Sequence, residues 1–228
     1  MLLAGAAEGL GAGLAATFAT AGYDVVGLSR TDRADRKLSE LVSTLGGRYT
    51  PIRCDLTRPD DVTAAVLPHA EQLAVVIHSA HRLLIKPFSE TTPAEFDEVW
   101  RAGCFGAMTV LRVVLPAMIA RGSGTVLLTG ATASVRGGAK FAAFASAKFA
   151  LRGFAQALAR EYGPAGIHVA HVLLDGLIDE PQTDSRFGAA DTGRMNPDAI
   201  ASAYLDLVRQ HPSAWTHELD LRPFSERF

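Results

Sequence analysis

The stretch Met1-Leu2-Leu3-Ala4-Gly5-Ala6-Ala7-Glu8-Gly9-Leu10-Gly11-Ala12-Gly13 decides how the rest of the chain is placed. A short apolar run leads into glycines spaced G-x-x-x-G-x-G, and an alanine- and leucine-rich helical segment, Ala12 to Ala21, follows. Such a turn suits an anion, because glycine lets the backbone approach a ligand closely and the helix N-terminus offers free N–H groups at the positive end of a dipole. The spacing differs from the commoner G-x-G-x-x-G. A role in helix packing alone is the alternative for Gly13.

The context of the glycine turn makes dinucleotide binding the leading hypothesis. A turn at Gly22 to Asp24 leads into a second apolar run, Val25 to Leu28, about where a βαβ unit needs its next parallel strand. The first strand has almost no residues before Gly5. Either that strand is short or the true start lies upstream, and the sequence does not decide between the two.

Strand-like and helix-like segments alternate to the end of the chain. This alternation predicts an α/β fold, a single Rossmann domain over residues 1–228 with a doubly wound parallel sheet and helices on both faces. An irregular polar stretch, 175–197, is long enough to be a substrate lid. The further strands are predicted at 49–54, 74–78, 124–129, 167–174 and 218–221, and the further helices at 34–45, 58–73, 92–121, 141–162 and 198–210.

Composition narrows the class of protein. Of 228 residues, 48% are apolar and 20% charged, which is ordinary for a well-buried core. The net charge of -2 gives no basic surface for nucleic acid or an anionic membrane. Cys54 and Cys104 form no disulfide framework and fit a reducing cytoplasm. The N-terminus lacks a basic region and carries Glu8, so a signal peptide is not expected. The chain has no uncharged apolar run of about 18 residues, so a transmembrane helix is not expected either.

Several motifs, in order and at the right intervals, resemble those of the short-chain dehydrogenase/reductase family over nearly the whole chain. The glycine turn corresponds to the family's cofactor turn, and Asp55-Leu56 to its aspartate after the third strand. His78-Ser79-Ala80-His81 lies where the family has Asn-Asn-Ala-Gly. Phe144-Ala145-Ser146-Ala147-Lys148 lies where it has Tyr-x-x-x-Lys, and Asp175-Gly176 where it has Pro-Gly.

The resemblance implies a bound nicotinamide dinucleotide. The end of the second strand selects between cofactors, since an acid there would bind the ribose 2′-hydroxyl of NAD and an arginine accommodates the 2′-phosphate of NADP. This chain has Ser29-Arg30 with Arg33 nearby, which favours NADP(H). The negative charge of Glu8 would oppose a phosphate brought close to it, so NAD(H) is the alternative cofactor. The cofactor contacts implied are Gly5, Glu8, Gly9, Leu10, Gly11, Ser29, Arg30, Asp55, Leu56, Ser79, Ala80, Lys148, Asp175, Gly176 and Ile178.

The family's catalytic positions are only partly matched. Its chemistry uses a tyrosine acid, a lysine one helical turn later that holds the nicotinamide ribose, a serine for the substrate oxygen and an asparagine that anchors a relay water. Here Lys148 is present, but the other three positions hold Phe144, Ala131 and Gly103. A positioned acid–base group is typically worth about 10²–10⁴-fold in rate. Carbonyl reduction by the family's own mechanism is therefore not expected.

Other side chains are candidates for the missing groups. His81 ranks first, because it follows the fourth strand on the nicotinamide side and histidine titrates near neutrality. Thr132, Ser134, Asp175 and Asp179 are further candidates, although a structural role is the simpler interpretation for each of these residues, His81 included. The other histidines show no metal-ligand spacing, so no metal is expected.

Two functions of different classes fit these residues. The first is an NADP-dependent oxidoreductase whose small apolar substrate needs no tyrosine acid, such as an iminium ion, an activated alkene, or a carbonyl protonated by His81 or water. The second is a non-redox dinucleotide-binding protein on the same scaffold: a sensor, a partner subunit, or a cofactor-dependent cyclase or isomerase. Lys148 favours the first, since it has little purpose without a nicotinamide ribose. By family analogy the long helices after strands four and five predict a homodimer or homotetramer.

Overall fold

A computed structural model describes residues 1–188 and 193–225 of the chain. Seven parallel strands form one sheet in the order β3-β2-β1-β4-β5-β6-β7, which confirms the predicted doubly wound fold. The strands are β1 Leu2–Ala4, β2 Val25–Ser29, β3 Tyr49–Arg53, β4 Val75–His78, β5 Gly124–Thr129, β6 Ile167–Leu174 and β7 Glu218–Leu221.

Helices cover both faces of this sheet. The α-helices are α1 Leu10–Thr20, α2 Asp35–Thr44, α3 Pro59–Val66, α4 Pro93–Trp100, α5 Gly106–Arg121, α6 Ala142–Tyr162, α7 Pro181–Phe187 and α8 Pro197–Val208. Helices α1, α2 and α8 bury one apolar cluster against the sheet, and α3, α5 and α6 bury a second on the opposite face. Adjacent strand residues therefore point to opposite clusters, as Leu2 and Leu3 do.

The strand order places a cleft at the carboxyl edge of the sheet. The strand order reverses at β1: β2 and β3 lie on one side of it, and β4 to β7 on the other. The loops after β1 and β4 therefore turn to opposite faces of the sheet. Ligands of open α/β sheets bind at this switch point. Hydrogen bonds from the N–H groups of Ser79 (2.8 Å) and Ala80 (3.0 Å) to the Ala4 carbonyl hold the two loops together there.

Two sequence expectations for the helices need correction. The stretch predicted to be irregular contains α7, whose N-terminal Pro181 is favourable in a first helical turn. Residues 189–192 of the predicted lid, and 226–228 of the predicted domain, lie outside the described residues. The long helix predicted from Thr92 begins with the expected capping box, but a five-residue π-helix, Arg101–Phe105, separates α4 from α5.

The continuous helical segment Pro93–Arg121 has the length and apolarity of a membrane-spanning helix, with a mean hydropathy of 1.8 in its most apolar window. However, 56% of that window is buried within the fold. Val110, Val114 and Met118 face the second apolar cluster and are inaccessible to solvent. The apolarity of this segment is thus explained by packing on the sheet.

Replacing Leu127 with alanine tests the packing of the sheet. Leu127 is fully buried in β5, an interior strand of the sheet, so Leu127→Ala is expected to lower the free energy of unfolding by about 2–5 kcal/mol. The control is Leu67→Ala, because Leu67 is 60% exposed. Urea denaturation measures both. Equal losses in the two variants would contradict the described core.

Candidate active site

The glycine turn brings backbone N–H groups to the cleft. Gly5 ends β1 with φ of 100°, and a Cβ at this position would lie 2.5 Å from the backbone nitrogen of Ala80. The loops after β1 and β4 therefore pack so closely that only glycine fits. Gly9 precedes α1 with φ of 74°, a conformation that L side chains rarely adopt. The first N–H groups of α1, beginning at Leu10, are thereby presented beside the cleft.

The carboxylate of Glu180 lies at the N-terminus of α1. Its Oε2 accepts a long hydrogen bond of 3.4 Å from the Leu10 N–H, and a Cβ at Gly9 would lie 2.3 Å from the same oxygen. Burial raises the pKa of Glu180, an effect that the Leu10 N–H opposes only in part. The glycine turn thus accommodates an anionic group, which here comes from the chain itself.

Basic side chains lie where the second strand ends. Arg30 and Arg33 are exposed, and both line the cleft. The Oε1 of Glu8 is 2.9 Å from the Nζ of Lys37. This ion pair reduces the opposition that Glu8 was expected to offer to a phosphate.

Asp55 lies on the same side of the cleft, just after β3. Its Oδ1 accepts hydrogen bonds from the N–H (2.9 Å) and the hydroxyl (2.8 Å) of Thr57. Burial alone would raise the pKa of Asp55, but these bonds and the charges of Arg30 and Arg58 outweigh it and lower that pKa. Asp55 is therefore held as a carboxylate at this end of the cleft.

Lys148 and Phe144 lie one helical turn apart on α6, as their spacing predicts. The Lys148 side chain is buried, and its Nζ donates a 2.7 Å hydrogen bond to the Thr129 carbonyl at the end of β5. Burial lowers the pKa of Lys148 to about 8, partly offset by Cys104. The ring centroid of Phe144 is 5.7 Å from the Lys148 Nζ, so an apolar ring borders the ammonium group.

His81 also lies near Phe144. Their ring centroids are 6.0 Å apart, with an angle of 66° between the planes. The His81 Nδ1 is 3.2 Å from the Ser79 carbonyl, and because a carbonyl can only accept, Nδ1 carries the proton and leaves Nε2 as an acceptor. Desolvation by the cleft walls, then the charge of Lys148, lower the pKa of His81 to about 4, although the side chain stays open to the cleft. Near pH 7, His81 is therefore neutral, and its unprotonated Nε2 is a weak base.

Positions 103 and 131 offer no polar side chain to the cleft. Gly103 lies in the π-helix, where a Cβ would be 3.1 Å from the Cβ of Ala147 on α6, so a larger residue would force the two helices apart. Ala131 lines the cleft, and its N–H donates a 3.1 Å hydrogen bond to the Ser134 hydroxyl.

Two of the polar candidates near Ala131 are committed elsewhere in the fold. Ser134 is fully buried, and its hydroxyl is 3.2 Å from the Nε2 of His171, so it cannot reach a substrate. The hydroxyl of Thr132 donates a 2.5 Å hydrogen bond to the Oδ1 of Asp175.

The two aspartates are also poorly placed to act on a substrate. The Oδ2 of Asp175 lies 3.5 Å from Arg222, so both of its carboxylate oxygens face partners within the fold. Asp179 is exposed and is not among the cleft residues. His81 and Thr132 are the candidates that line the cleft, and the Thr132 hydroxyl is bonded to Asp175, which leaves His81.

The cleft is one continuous cavity of about 900 Å³, and it collects most of the predicted site. Gly9, Gly103 and Asp175 do not line it, although Ala102, beside Gly103, does. The cavity also contains residues that the sequence did not single out, among them Arg82, Leu83, Arg136, Glu180, Arg186 and Phe187. A helix-start signal at Glu180-Pro181, shortly after Gly176, is the one feature that could have drawn attention to Glu180. No group of three or more possible metal ligands occurs in the described part of the chain.

A parallel sheet with a glycine turn at its switch point and a buried lysine in the same cleft defines a Rossmann-type dinucleotide-binding protein. A model of the short chain dehydrogenase family matches residues 1–186. The chain is 31% identical over 212 residues to the short-chain reductase protein NovJ of Streptomyces niveus, covering 89% of this chain and 79% of that protein. This chain therefore belongs to the short-chain dehydrogenase/reductase family of oxidoreductases, which confirms the resemblance inferred from its motifs.

Solved structures agree with this assignment. A short-chain dehydrogenase from Rhodopseudomonas palustris is 37% identical, with a TM-score of 0.83 over 98% of this chain and 97% of that one. A metagenomic short-chain oxidoreductase in complex with NADP is 25% identical, with a TM-score of 0.85 over 98% of this chain and 96% of that one.

Replacing Lys148 with methionine tests whether this lysine is retained at a cost in stability. Because its pKa falls from 10.5 to about 8 on folding, burying the ammonium group costs up to about 3 kcal/mol below pH 8. Lys148→Met is therefore expected to be as stable as the wild type or more stable at pH 7. The wild type should gain on the variant as the pH rises from about 8 to 10.5, since the unfolded chain then binds the extra proton. Urea denaturation across this pH range measures the difference in free energy of unfolding between the two proteins. A Lys148→Met variant that is less stable than the wild type by several kcal/mol at pH 7 would show that the buried ammonium group does not destabilise the fold.

Proposed function

We propose that this chain is an NADP(H)-preferring oxidoreductase that transfers hydride to or from a small carbonyl compound, imine or activated alkene, with an active site that lacks the family's tyrosine acid. The observation that carries the proposal is that the glycine turn, Arg30 and Lys148 all line one cavity. A group that spans this cavity would meet N–H donors at α1, guanidinium groups at one end and an ammonium group at the other.

The residues present fit a nicotinamide dinucleotide. The start of α1 accepts an anion, as the Glu180 carboxylate shows, and a diphosphate would take its place. Arg30 and Arg33 would hold a 2′-phosphate, and Asp55 and Leu56 would lie near the adenine. Lys148 would hold the nicotinamide ribose, beside Gly176 and Ile178. The metagenomic relative binds NADP, which supports the same cofactor here.

A bound nicotinamide supplies or accepts the hydride. On the chain's side, the ring centroid of Phe144 lies 5.7 Å from the Lys148 Nζ, and this ring is apolar where the family has an acid. His81 has an unprotonated Nε2 that would accept a proton from an alcohol during oxidation, and its lowered pKa makes it a weak base in that role. In the reductive direction, acceptors that need no strong acid are favoured, such as an iminium ion or an activated alkene.

The non-redox alternative has one observation in its favour. Glu180 occupies the anion position at α1, and its charge opposes a diphosphate. A sensor, a partner subunit or a cofactor-dependent isomerase could work with the weaker binding that results. Lys148 favours the redox function, because a buried ammonium group is costly and has its clearest use in holding a ribose.

Several properties of the working protein are part of the proposal. The substrate is a small molecule, with no nucleic acid or membrane as partner, and the protein acts in the cytoplasm. It assembles as a homodimer or homotetramer through α5, α6 and their neighbours. The described residues of the predicted lid, 175–188 and 193–197, close over the substrate.

Cofactor choice is tested by titrating the protein with NADPH and NADH while following nicotinamide fluorescence. NADPH is expected to bind more tightly than NADH. Arg30→Ala is expected to weaken the binding of NADPH about tenfold or more, because a guanidinium–phosphate hydrogen bond is charge-assisted, and to leave the binding of NADH unchanged. Arg53→Ala is the control, since Arg53 is exposed and outside the cavity. Binding of NADH but not NADPH would contradict the proposed cofactor preference. If neither cofactor bound, the proposed oxidoreductase function would be wrong.

The role of Glu180 is tested by Glu180→Gln. Removing the charge of Glu180 is expected to raise the affinity for NADPH about three- to tenfold near pH 7.5, because the repulsion between this carboxylate and the diphosphate is lost. The difference from the wild type should shrink as the pH falls, since the wild-type carboxyl, with its raised pKa, then becomes protonated. Glu71→Gln serves as control, because Glu71 is exposed and does not line the cavity. Unchanged affinity in Glu180→Gln would show that Glu180 does not compete with the cofactor.

A further inference from the structure

The substrate end of the cleft carries positive charge that the fold does not neutralise. Arg136, in the loop after β5, and Arg186, in α7, line the same cavity as Phe144 and His81. Among the described residues neither guanidinium group has an ion-pair partner or a side-chain hydrogen bond. Arg152, by contrast, is paired with Glu218 through two hydrogen bonds of 2.7 and 2.8 Å.

The other charged groups near this end do not cancel these two. Arg82 lines the cavity but is paired with Glu98. Within the described chain, three acidic side chains line the cavity: Glu8, Asp55 and Glu180. Glu8 is paired with Lys37, Asp55 accepts hydrogen bonds from Thr57, and the Glu180 carboxylate is directed to the N-terminus of α1. The buried ammonium group of Lys148 adds further positive charge. Arg136 and Arg186 are exposed, so their guanidinium groups are accessible to an anionic ligand in the cavity.

Arg186 is close to the reacting end of the cleft. Its charge is one of the causes that lower the pKa of His81, so its guanidinium group lies within electrostatic reach of that imidazole. Apolar side chains line the same region: Leu83, Phe141, Phe144 and Phe187. A ligand that matches both features has an apolar body and one anionic group.

We propose that the substrate carries a carboxylate on an apolar body and that Arg136 and Arg186 bind this carboxylate, which makes them specificity-determining residues. The planar fork of a guanidinium group matches a carboxylate through two parallel hydrogen bonds. This inference rests on the proposed function for the reaction itself, but anion binding at this end of the cleft is measurable without turnover.

The probes are 3-phenylpropanoate and 3-phenylpropanamide, which have the same size and shape and differ in charge. Their dissociation constants are measured by ligand-observed NMR on the full chain, with and without NADPH. The carboxylate is expected to bind about tenfold more tightly than the amide, as for a charge-assisted hydrogen bond. The preference should fall at higher ionic strength, since the arginines are exposed.

The variants are Arg136→Ala and Arg186→Ala, singly and together, with Arg112→Ala as control because Arg112 is exposed on α5 outside the cavity. Loss of the carboxylate preference in the double variant, with Arg112→Ala unchanged, supports the proposal. Equal binding of the two probes, no binding of either, or a preference that survives the double variant overturns it. A third probe, 2-phenylethylphosphonate, would overturn the carboxylate assignment in favour of a phosphate if it bound more tightly still.

Failure of the proposed function gives a different result. A protein that does not bind NADPH but still prefers the carboxylate, through these two arginines, would have the anion site without the redox function. A protein that binds NADPH but does not distinguish the probes would keep the redox function and lose the anion site.

Discussion

The N–H groups at the start of α1 are the feature on which the rest of the site depends. They reach the cleft because β1 ends at the switch point of the sheet and because the turn that follows contains glycines at positions where a Cβ would collide with Ala80 or with Glu180. The strand order then fixes what else the cleft contains. The loops after β2 and β3 bring Arg30 and Asp55 to one end, and β5 with α6 brings Lys148 to the other.

Charge is distributed unevenly along this cleft, and the distribution relates structure to function. Negative groups lie near the glycine turn, where Glu8 is paired with Lys37 and Glu180 caps α1. Positive groups lie at both ends, and the candidate catalytic centre contains the apolar ring of Phe144, which is near both Lys148 and His81. This centre has a neutral imidazole that is a weak base, and it has no tyrosine acid. The chemistry that fits it moves hydride to or from a substrate that makes little demand for protonation.

The sequence predicted the sheet closely because buried parallel strands are continuous apolar runs, and β5, β6 and β7 have the predicted bounds. It also predicted which face of α6 reaches the cleft, since a four-residue spacing fixes Phe144 and Lys148 relative to each other. Contacts between distant parts of the chain could not be predicted. Glu180 contacts Leu10 across 170 residues of sequence, and Thr132 contacts Asp175 across 43. The local sequence around each of these residues therefore gives no sign of the contact. Helix α7 was missed because its short polar sequence has no apolar periodicity.

The central claim is that hydride transfer occurs at a site where Phe144 replaces an acid. The most direct measurement is multiple-turnover oxidation of NADPH that carries deuterium at C4, with iminium ions, activated alkenes and simple ketones offered as acceptors at matched concentrations. The account predicts deuterium on carbon in the product, with iminium ions or activated alkenes turned over faster than ketones. Tight NADPH binding with no deuterium transferred to any acceptor would contradict it and leave a dinucleotide-binding protein without redox chemistry.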